Sequence, residues 1–190
     1  MSVALRACVN AHQPWGMRAY VAQDGGVIYR DGLPNDAPVL ILVPLRLGLD
    51  SINPAYLSLL QAVLRCRLCV GIIGGRDSSS FYFLGYEGDN VVCLDPHIVQ
   101  PAYDVGAEPF PAESFRGHPQ QMRLMDMDPS MSVGFFCANA AQVDDLQAYL
   151  ELETSHLPFT LSVVAGGLES AGGSYLSATP TSLGDDWVAL

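Results

Sequence analysis

The chain has 190 residues, 49% hydrophobic and 15% charged, a globular composition long enough for one domain that buries roughly 70% of its unfolded surface. The formal net charge is −11, and all nine basic residues are scattered arginines, which argues against nucleic-acid binding and against attraction to an anionic membrane. No apolar run reaches the ~18 residues of a transmembrane helix, and the first residues lack the layout of a signal peptide.

The cysteines indicate a reducing compartment. Five cysteines, an odd and scattered set, suit free thiols better than a disulfide framework, so we expect a cytoplasmic protein. Cys66 and Cys69 form a C-x-x-C, but no second pair follows at a zinc-binding spacing, which favours structural thiols. Cys137 lies in a core-like apolar run and is expected to be packed and inert.

The first half of the chain alternates strand and helix signals after an N-terminal segment that carries few of them. Residues 17–23 and 27–30 flank a glycine-rich turn, which predicts a β-hairpin. Residues 39–43 are a continuous apolar run, typical of a strand buried on both faces. Asn53 and Pro54 predict the start of a helix over about 54–66, and residues 70–74 predict the next strand.

A second hairpin is predicted over residues 81–86 and 91–94, with a turn at 87–90. It ends in Asp95-Pro96-His97, and because proline favours an extended backbone, Asp95 and His97 should project from the same face. A carboxylate beside an imidazole can fix the ring's tautomer and support its positive form, which is the work of the acid and base in a nucleophilic triad. An ordinary strand-end turn is the alternative.

The remaining elements are predicted in the C-terminal part. Residues 101–119 are predicted to form a long loop, and residues 121–125 and 132–137 are predicted to form strands. Asn139 and Gln142 resemble a capping box that starts a helix running to about residue 153. A last strand is predicted over 159–164, and residues 166–190, rich in glycine, serine, alanine and threonine, are expected to form a flexible acidic tail.

Several motifs between about residues 39 and 159 resemble, in the same order, those of the autophagin family of cysteine proteases. They are PLRLG at 44–48, INPAY at 52–56, GIIGG at 71–75, FYFLG at 81–85, LDPH at 94–97 followed by QP at 100–101, and DPS at 128–130 with VGFFC at 133–137. The resemblance implies an α/β (α+β) papain-like fold with a mixed central sheet and packed helices.

The same resemblance implies a function. It assigns Asp95 and His97 as two members of a catalytic triad. Members of the family trim the ubiquitin-like autophagy modifier after its C-terminal glycine and release it from phosphatidylethanolamine. The expected partners are therefore the free modifier precursor and its lipid-conjugated form, and this chemistry requires no metal or organic cofactor.

The third triad member has no match. The family's nucleophile lies upstream, in a Gly-Trp-Gly-Cys motif, whereas here Trp15 and Gly16 are followed by Met17, and no glycine turn surrounds Cys8 and His12. We therefore expect residues 1–165 to be the C-terminal portion of a papain-like peptidase domain, inactive alone. The alternatives are a non-catalytic modifier-binding module or decoy, and a nucleophile supplied by a separate polypeptide.

Two places near the predicted site each allow two interpretations. Arg76, Asp77, Ser78 and Ser79 match the family's movable lid over the active-site cysteine, but Asp77 stands where the family usually has proline, so a simple surface turn is the alternative. Arg46, at the end of the buried strand, is either a substrate contact or a solvated or ion-paired group.

The last residues resemble a short recognition motif. Trp187 and Leu190 are separated by two residues and preceded by aspartates, as in the W-x-x-L motif that binds the autophagy modifier. Such a peptide adds a strand to an exposed sheet edge and places its two apolar side chains in pockets.

Overall fold

The computed structural model describes residues 2–12, 16–23, 25–76, 79–99 and 117–166. Over these ranges the chain forms three α-helices and nine β-strands. In chain order they are α1 (Ser2–His12), β1 (Arg18–Val21), β2 (Val27–Tyr29), β3 (Val39–Arg46), α2 (Leu57–Arg65), β4 (Cys69–Arg76), β5 (Ser79–Glu87), β6 (Asn90–Leu94), β7 (Gln120–Arg123), β8 (Ser130–Cys137), α3 (Ala140–Thr154) and β9 (Ser162–Val164).

Seven of these strands form one mixed sheet in the order β1-β3-β8-β4-β5-β6-β7. β1 pairs with β3 in parallel, and every other neighbouring pair in this sheet is antiparallel. β2 and β9 form a separate parallel pair. The mixed central sheet with packed helices confirms the predicted α/β class and is consistent with a papain-like protease fold.

β3 is the interior strand that its apolar run predicts. It lies between β1 and β8, so its backbone groups are paired on both sides. Val39, Ile41 and Val43 are buried in one core with residues of α2 and α3, and Leu42 is buried from the opposite face. The continuous apolar run therefore reflects burial on both faces of the sheet.

Both predicted helix starts are confirmed. The Asn53 side chain accepts a hydrogen bond from the Ala55 N–H (3.0 Å), and a short 3-10 turn that begins at Pro54 leads into α2. Asn139 accepts from the Gln142 N–H (3.1 Å), while Gln142 Oε1 accepts from the Ala138 N–H (2.8 Å), a reciprocal pair close to a capping box. These caps place the apolar faces of α2 and α3 on the sheet.

The predicted hairpin over residues 17–30 is wrong. β1 joins the main sheet beside β3, whereas β2 pairs with β9, so the two strands lie in different sheets. The turn between them is real, with Gly25 and Gly26 at positive φ. The carbonyl of Gly26 accepts a hydrogen bond from the Ser162 N–H, so tertiary pairing with the last strand outweighs the local hairpin signal.

The N-terminal segment contains a helix that the sequence did not predict. Val9 of α1 is buried, and the Asn10 side chain makes two hydrogen bonds to the Ala19 backbone, donating to its carbonyl (3.0 Å) and accepting from its N–H (2.8 Å). The start of this helix is not marked by an N-cap residue together with an acidic residue in the first turn. Its position therefore depends on packing against β1 rather than on local signals.

Several predictions fall on residues outside the described ranges. These are the middle of the lid segment, Asp77 and Ser78, most of the 101–119 loop, and the C-terminal segment with Trp187 and Leu190. Of the helices in the described part of the chain, none combines the length and apolar character needed to cross a membrane.

Candidate active site

The β5–β6 hairpin positions the predicted acid and base. Its turn contains Gly88 at positive φ, and Tyr82 pairs with Leu94 at the opposite end of the hairpin. β6 stops at Leu94, so the next residues, Asp95 to His97, lie at the end of the sheet where β5 begins. The predicted hairpin is confirmed, and it delivers the two side chains to a sheet end.

Asp95 and His97 are in direct contact. His97 Nδ1 lies 2.7 Å from Asp95 Oδ1, and the same carboxylate oxygen accepts a hydrogen bond from the His97 backbone N–H at 2.9 Å. The His97 side chain is 59% exposed and that of Asp95 is 26% exposed. The imidazole is therefore held by the carboxylate and remains open to a reacting group.

The backbone between the two residues differs from the extended geometry that we expected. Pro96 and His97 lie in a turn, so the expectation that the strand continues through Pro96 is wrong. The hydrogen bond from the His97 N–H to Asp95 Oδ1 closes an Asx turn. In such a turn the aspartate side chain accepts from the backbone N–H of the residue two positions later in the chain. The turn brings the side chains together more closely than the spacing of alternate strand residues would.

The contact fixes the roles of the ring nitrogens. An ionised carboxylate only accepts hydrogen bonds, so Nδ1 carries a proton and Nε2 is left as the basic nitrogen of the neutral ring. The hydrogen bond from the His97 backbone, followed by the one from its ring, holds the pKa of Asp95 below its ordinary value of 3.8. Asp95 therefore stays negatively charged at neutral pH.

The lowered pKa of Asp95 has a measurable consequence. Because the folded-state pKa is depressed, the stabilisation from the Asp95–His97 contact is present above the unfolded value and is lost as pH falls through the folded value. We expect the Asp95 carboxyl carbon to titrate below pH 3.8 in an NMR titration. In His97→Ala the backbone N–H remains, so the midpoint should move only part of the way back. A midpoint at or above 3.8 in the unsubstituted protein would contradict this geometry.

The two residues that bound the middle of the lid segment lie at the same end of the sheet as the pair. Arg76 of β4 and Ser79 of β5 are register partners. Because β5 and β6 are antiparallel, the start of β5 and Asp95 lie at the same end of adjacent strands. Arg76 and Ser79 are therefore at the sheet end that carries Asp95 and His97.

Asp128 is a supporting residue whose role the sequence analysis missed. Its carboxylate accepts a hydrogen bond from the Ser130 N–H (2.8 Å), and its own backbone N–H donates to the Gly75 carbonyl (2.7 Å). Asp128-Pro129-Ser130 thus forms an Asx turn of the same kind as Asp95-Pro96-His97, and it supports the end of β4 just before the lid segment. The repeated Asp-Pro-x pattern was the signal that would have identified it.

Arg46 has a structural role in this site. Its guanidinium donates to the carbonyls of Gly48 (3.1 Å) and Leu49 (3.0 Å), in the loop that follows β3. β3 runs parallel to β4, so this loop lies at the same sheet end as the lid segment. Arg46 is exposed, which agrees with the predicted solvated group, and its hydrogen bonds shape the loop beside the site.

None of the five thiols, all in the described ranges, forms a hydrogen bond with His97. Cys66, Cys93 and Cys137 are buried, and Cys93 donates to the Gln120 carbonyl. Burial raises the pKa of Cys69 and of Cys137 to about 11, which leaves them protonated at neutral pH. These properties confirm that Cys137 is packed and support structural roles for the C-x-x-C.

The remaining cysteine, Cys8, is exposed. It lies on α1, which packs on the edge strand β1 and whose Leu5 lines a groove together with Tyr82 of β5. In the described structure no hydrogen bond joins Cys8 to Asp95 or His97.

Comparison with known proteins gives a consistent family assignment. The family model of the peptidase C54 catalytic domain matches residues 1–149. The chain is 38% identical to the human cysteine protease ATG4C over 157 residues, 39% identical to ATG4C of Xenopus laevis over 136 residues, and 37% identical to ATG4B of Gallus gallus over 155 residues. These matches cover 76%, 68% and 74% of this chain but only 34%, 30% and 39% of those relatives.

Proposed function

Because this chain belongs to the peptidase C54 family of cysteine proteases, we propose that Asp95 and His97 are the orienting acid and general base of a thiol protease of autophagy. The observation that supports this assignment most strongly is the 2.7 Å contact between Asp95 Oδ1 and His97 Nδ1 at an open end of the sheet. The contact leaves Nε2 available for proton transfer.

The proposed substrate is the ubiquitin-like autophagy modifier, cut after its C-terminal glycine. His97 Nε2 takes the proton of a cysteine thiol, and the thiolate attacks the glycine carbonyl carbon. The departing amine, from the precursor's next residue or from phosphatidylethanolamine, takes that proton from His97 as the carbon–nitrogen bond breaks. Water then attacks the thioester carbonyl carbon and gives one proton to His97, and the carbon–sulfur bond breaks. The modifier leaves with a free carboxyl group, and the cysteine sulfur takes the proton back from His97.

The cysteine of this mechanism is proposed to lie outside the chain. Four of the thiols are buried or half-buried, those of Cys69 and Cys137 have raised pKa values, and exposed Cys8 lacks the glycine-rich motif of the family's nucleophile. The chain spans about a third of the length of the relatives it matches, so the relatives contain a large part with no counterpart here. In this proposal the chain contributes the base and its acid, and it is inactive when isolated.

The segment from Arg76 to Ser79 is proposed to cover the substrate tail. Arg76 and Ser79, its first and last residues, lie at the sheet end that carries Asp95 and His97, and the Asp128 turn supports the end of β4 through Gly75. The end of β4 is held in place and the connection from β4 to β5 is short. This arrangement suits a small movement of the segment over the entrance to the site.

A cleavage assay tests the proposed function. A chimaera in which this chain replaces the matched segment of human ATG4C is expected to cleave a modifier precursor, and the isolated chain is expected to leave it intact. Cleavage by the isolated chain that His97→Ala abolishes would contradict the missing-nucleophile proposal. A folded chimaera whose cleavage is unaffected by His97→Ala would contradict the role of the pair.

A second candidate is a non-catalytic module that binds the modifier. Among the described residues no thiol is hydrogen-bonded to His97, which favours this candidate, and Trp187 with Leu190 would add the recognition motif. A peptide of residues 184–190 should then bind purified modifier, and Trp187→Ala should weaken binding at least about tenfold, since such motifs depend on their aromatic anchor. Equal affinity of both peptides would exclude the motif.

A further inference from the structure

A pocket of about 320 Å³ lies between the end of α2 and α3. It is lined by six residues from the end of α2, the turn that follows it, and α3: Arg65, Cys66, Arg67, Leu68, Asp145 and Tyr149. β4 begins at Cys69, directly after this turn, and runs to Arg76 at the sheet end that carries the candidate active site. The pocket is therefore separate from that site and lies at the opposite end of the sheet.

The inner lining of the pocket is apolar, and its aromatic wall is fixed. Cys66 is buried and Leu68 is half-buried. The Tyr149 hydroxyl donates to the Ala62 carbonyl at 2.8 Å, which holds the ring against α2. A volume of about 320 Å³ is at the lower end of the range for small-molecule sites, so the pocket suits one large side chain.

The exposed lining residues carry charges of both signs. Arg65 and Arg67 are exposed at the end of α2 and in the turn after it, and Asp145 is exposed on α3. Arg65 donates to Glu153 at 3.1 Å, and because a guanidinium has five N–H donors, others remain for a ligand. Within the described ranges Arg67 has no hydrogen-bond or ion-pair partner. The pocket can therefore bind carboxylates on its α2 side and a hydrogen-bond donor on its α3 side.

The C-terminal segment, residues 184–190, contains groups of both kinds. Asp185 and Asp186 directly precede Trp187. A buried indole ring needs a partner for its N–H, and Asp145 is an acceptor on the pocket wall. Two carboxylates and an indole thus match two guanidiniums, an apolar lining and a carboxylate.

This segment can reach the pocket from the end of the described chain. The Gly166 N–H donates to Asp31 Oδ1 at 3.2 Å. The neighbouring Arg30 forms an ion pair with Asp144 of α3 at 2.9 Å, so Gly166 lies close to the helix that forms one side of the pocket. Eighteen residues lie between Gly166 and Asp185, enough to span up to about 60 Å, whereas α3 is only about 22 Å long.

We propose that residues 184–190 occupy this pocket in the free protein, with Trp187 in its interior and the two aspartates facing the two arginines. The inference does not rest on the proposed protease function. The tether raises the effective concentration of the segment to roughly millimolar, so a contact that is weak between separate molecules is sufficient. While it is docked, Trp187 is unavailable to other partners, and the segment does not cover the Asp95–His97 pair at the other sheet end.

The same segment of a second copy is a poorer occupant. Each copy has a net charge of −11, so an exchange of segments between copies brings together two strongly acidic molecules. A segment that is already attached to the chain fills the pocket without that repulsion.

Fluorescence of Trp187 in the 190-residue chain tests the proposal. Trp15→Phe removes the other tryptophan, so Trp187 alone is observed. We expect acrylamide to quench Trp187 at least about threefold less in this chain than in a free peptide of residues 184–190, because a docked ring is shielded from solvent. Adding Arg67→Glu should raise the quenching at least about twofold, and adding Asp185→Arg to that variant should reverse most of the increase by restoring an opposite-charge pair.

Arg18→Glu is the matched control. It makes the same change of charge at an exposed position on β1, three strands from β4 in the sheet order, so it should leave the quenching unaltered. Quenching of Trp187 equal to that of the peptide would overturn the proposal. So would protection that persists in Arg67→Glu, that Arg18→Glu removes equally, or that Asp185→Arg fails to restore. Protection that falls on dilution would assign the pocket to the segment of a second copy and would also overturn it.

Discussion

Asp95→Asn is expected to lower kcat for precursor cleavage by the chimaera about 10²- to 10⁴-fold, with KM nearly unchanged. Asparagine can still accept the hydrogen bond from the His97 N–H, so the turn is kept. The negative charge that stabilises the imidazolium is lost, and the amide no longer enforces a proton on Nδ1. The loss is therefore confined to the steps in which His97 takes or gives a proton.

The kinetic control lies at the other end of the same hairpin. Asp89 is exposed in the β5–β6 turn and its backbone carbonyl accepts from the Leu124 N–H, a bond that Asp89→Asn leaves intact. This variant should cleave at the parent rate. An Asp95→Asn chimaera within threefold of the parent kcat would show that Asp95 does not act through His97.

Phe135→Ala is expected to destabilise the isolated chain by about 3 to 5 kcal/mol. Phe135 is fully buried at the centre of β8, the strand that joins β3 to β4. Removing its ring leaves a cavity between the sheet and the helices that these close-packed neighbours fill only in part. Urea unfolding should show a lower midpoint with an unchanged slope.

Leu152→Ala controls for the loss of an apolar side chain in general. Leu152 lies on the solvent side of α3, so its truncation should change the free energy of unfolding by less than about 0.5 kcal/mol. A Phe135→Ala effect below about 1 kcal/mol would mean that the isolated chain does not form this core. In that case folding would depend on the part of the relatives that this chain does not match.

Most of the elements that position the site were predictable because their signals are local. The β5–β6 hairpin follows from a glycine turn between two apolar runs, and α2 and α3 follow from Asn53 and Asn139 with apolar faces behind them. In each case the local preference and the tertiary contacts agree. The order of the seven strands is not local, and nothing in the spacing of residues determined it.

The wrong or missing predictions concern elements whose positions depend on contacts distant in the sequence. The turn at Gly25 and Gly26 exists, but the strands on its two sides find partners more than ten residues away, β3 and β9. α1 lacks a capping signal and depends on β1 for its position. Here tertiary pairing decides, and a single sequence does not carry that information in its local pattern.

The contact between Asp95 and His97 was predicted, but its geometry was not. The two side chains meet across an Asx turn and not along an extended strand. The same kind of turn at Asp128 supports the end of β4, and it was visible only as a repeated Asp-Pro pattern. Side-chain to backbone hydrogen bonds over two residues thus build the sheet end where chemistry is proposed.

The central claim is that this chain supplies a base and its acid to a thiol that it does not contain. A modifier C-terminal tail carrying a thiol-reactive group, added to the native isolated chain and read by mass spectrometry, tests it most directly. The account predicts that no cysteine of the isolated chain is labelled, while the chimaera is labelled on a cysteine contributed by human ATG4C and loses that label with His97→Ala. Specific labelling of any of the five cysteines of this chain, dependent on His97, would contradict it.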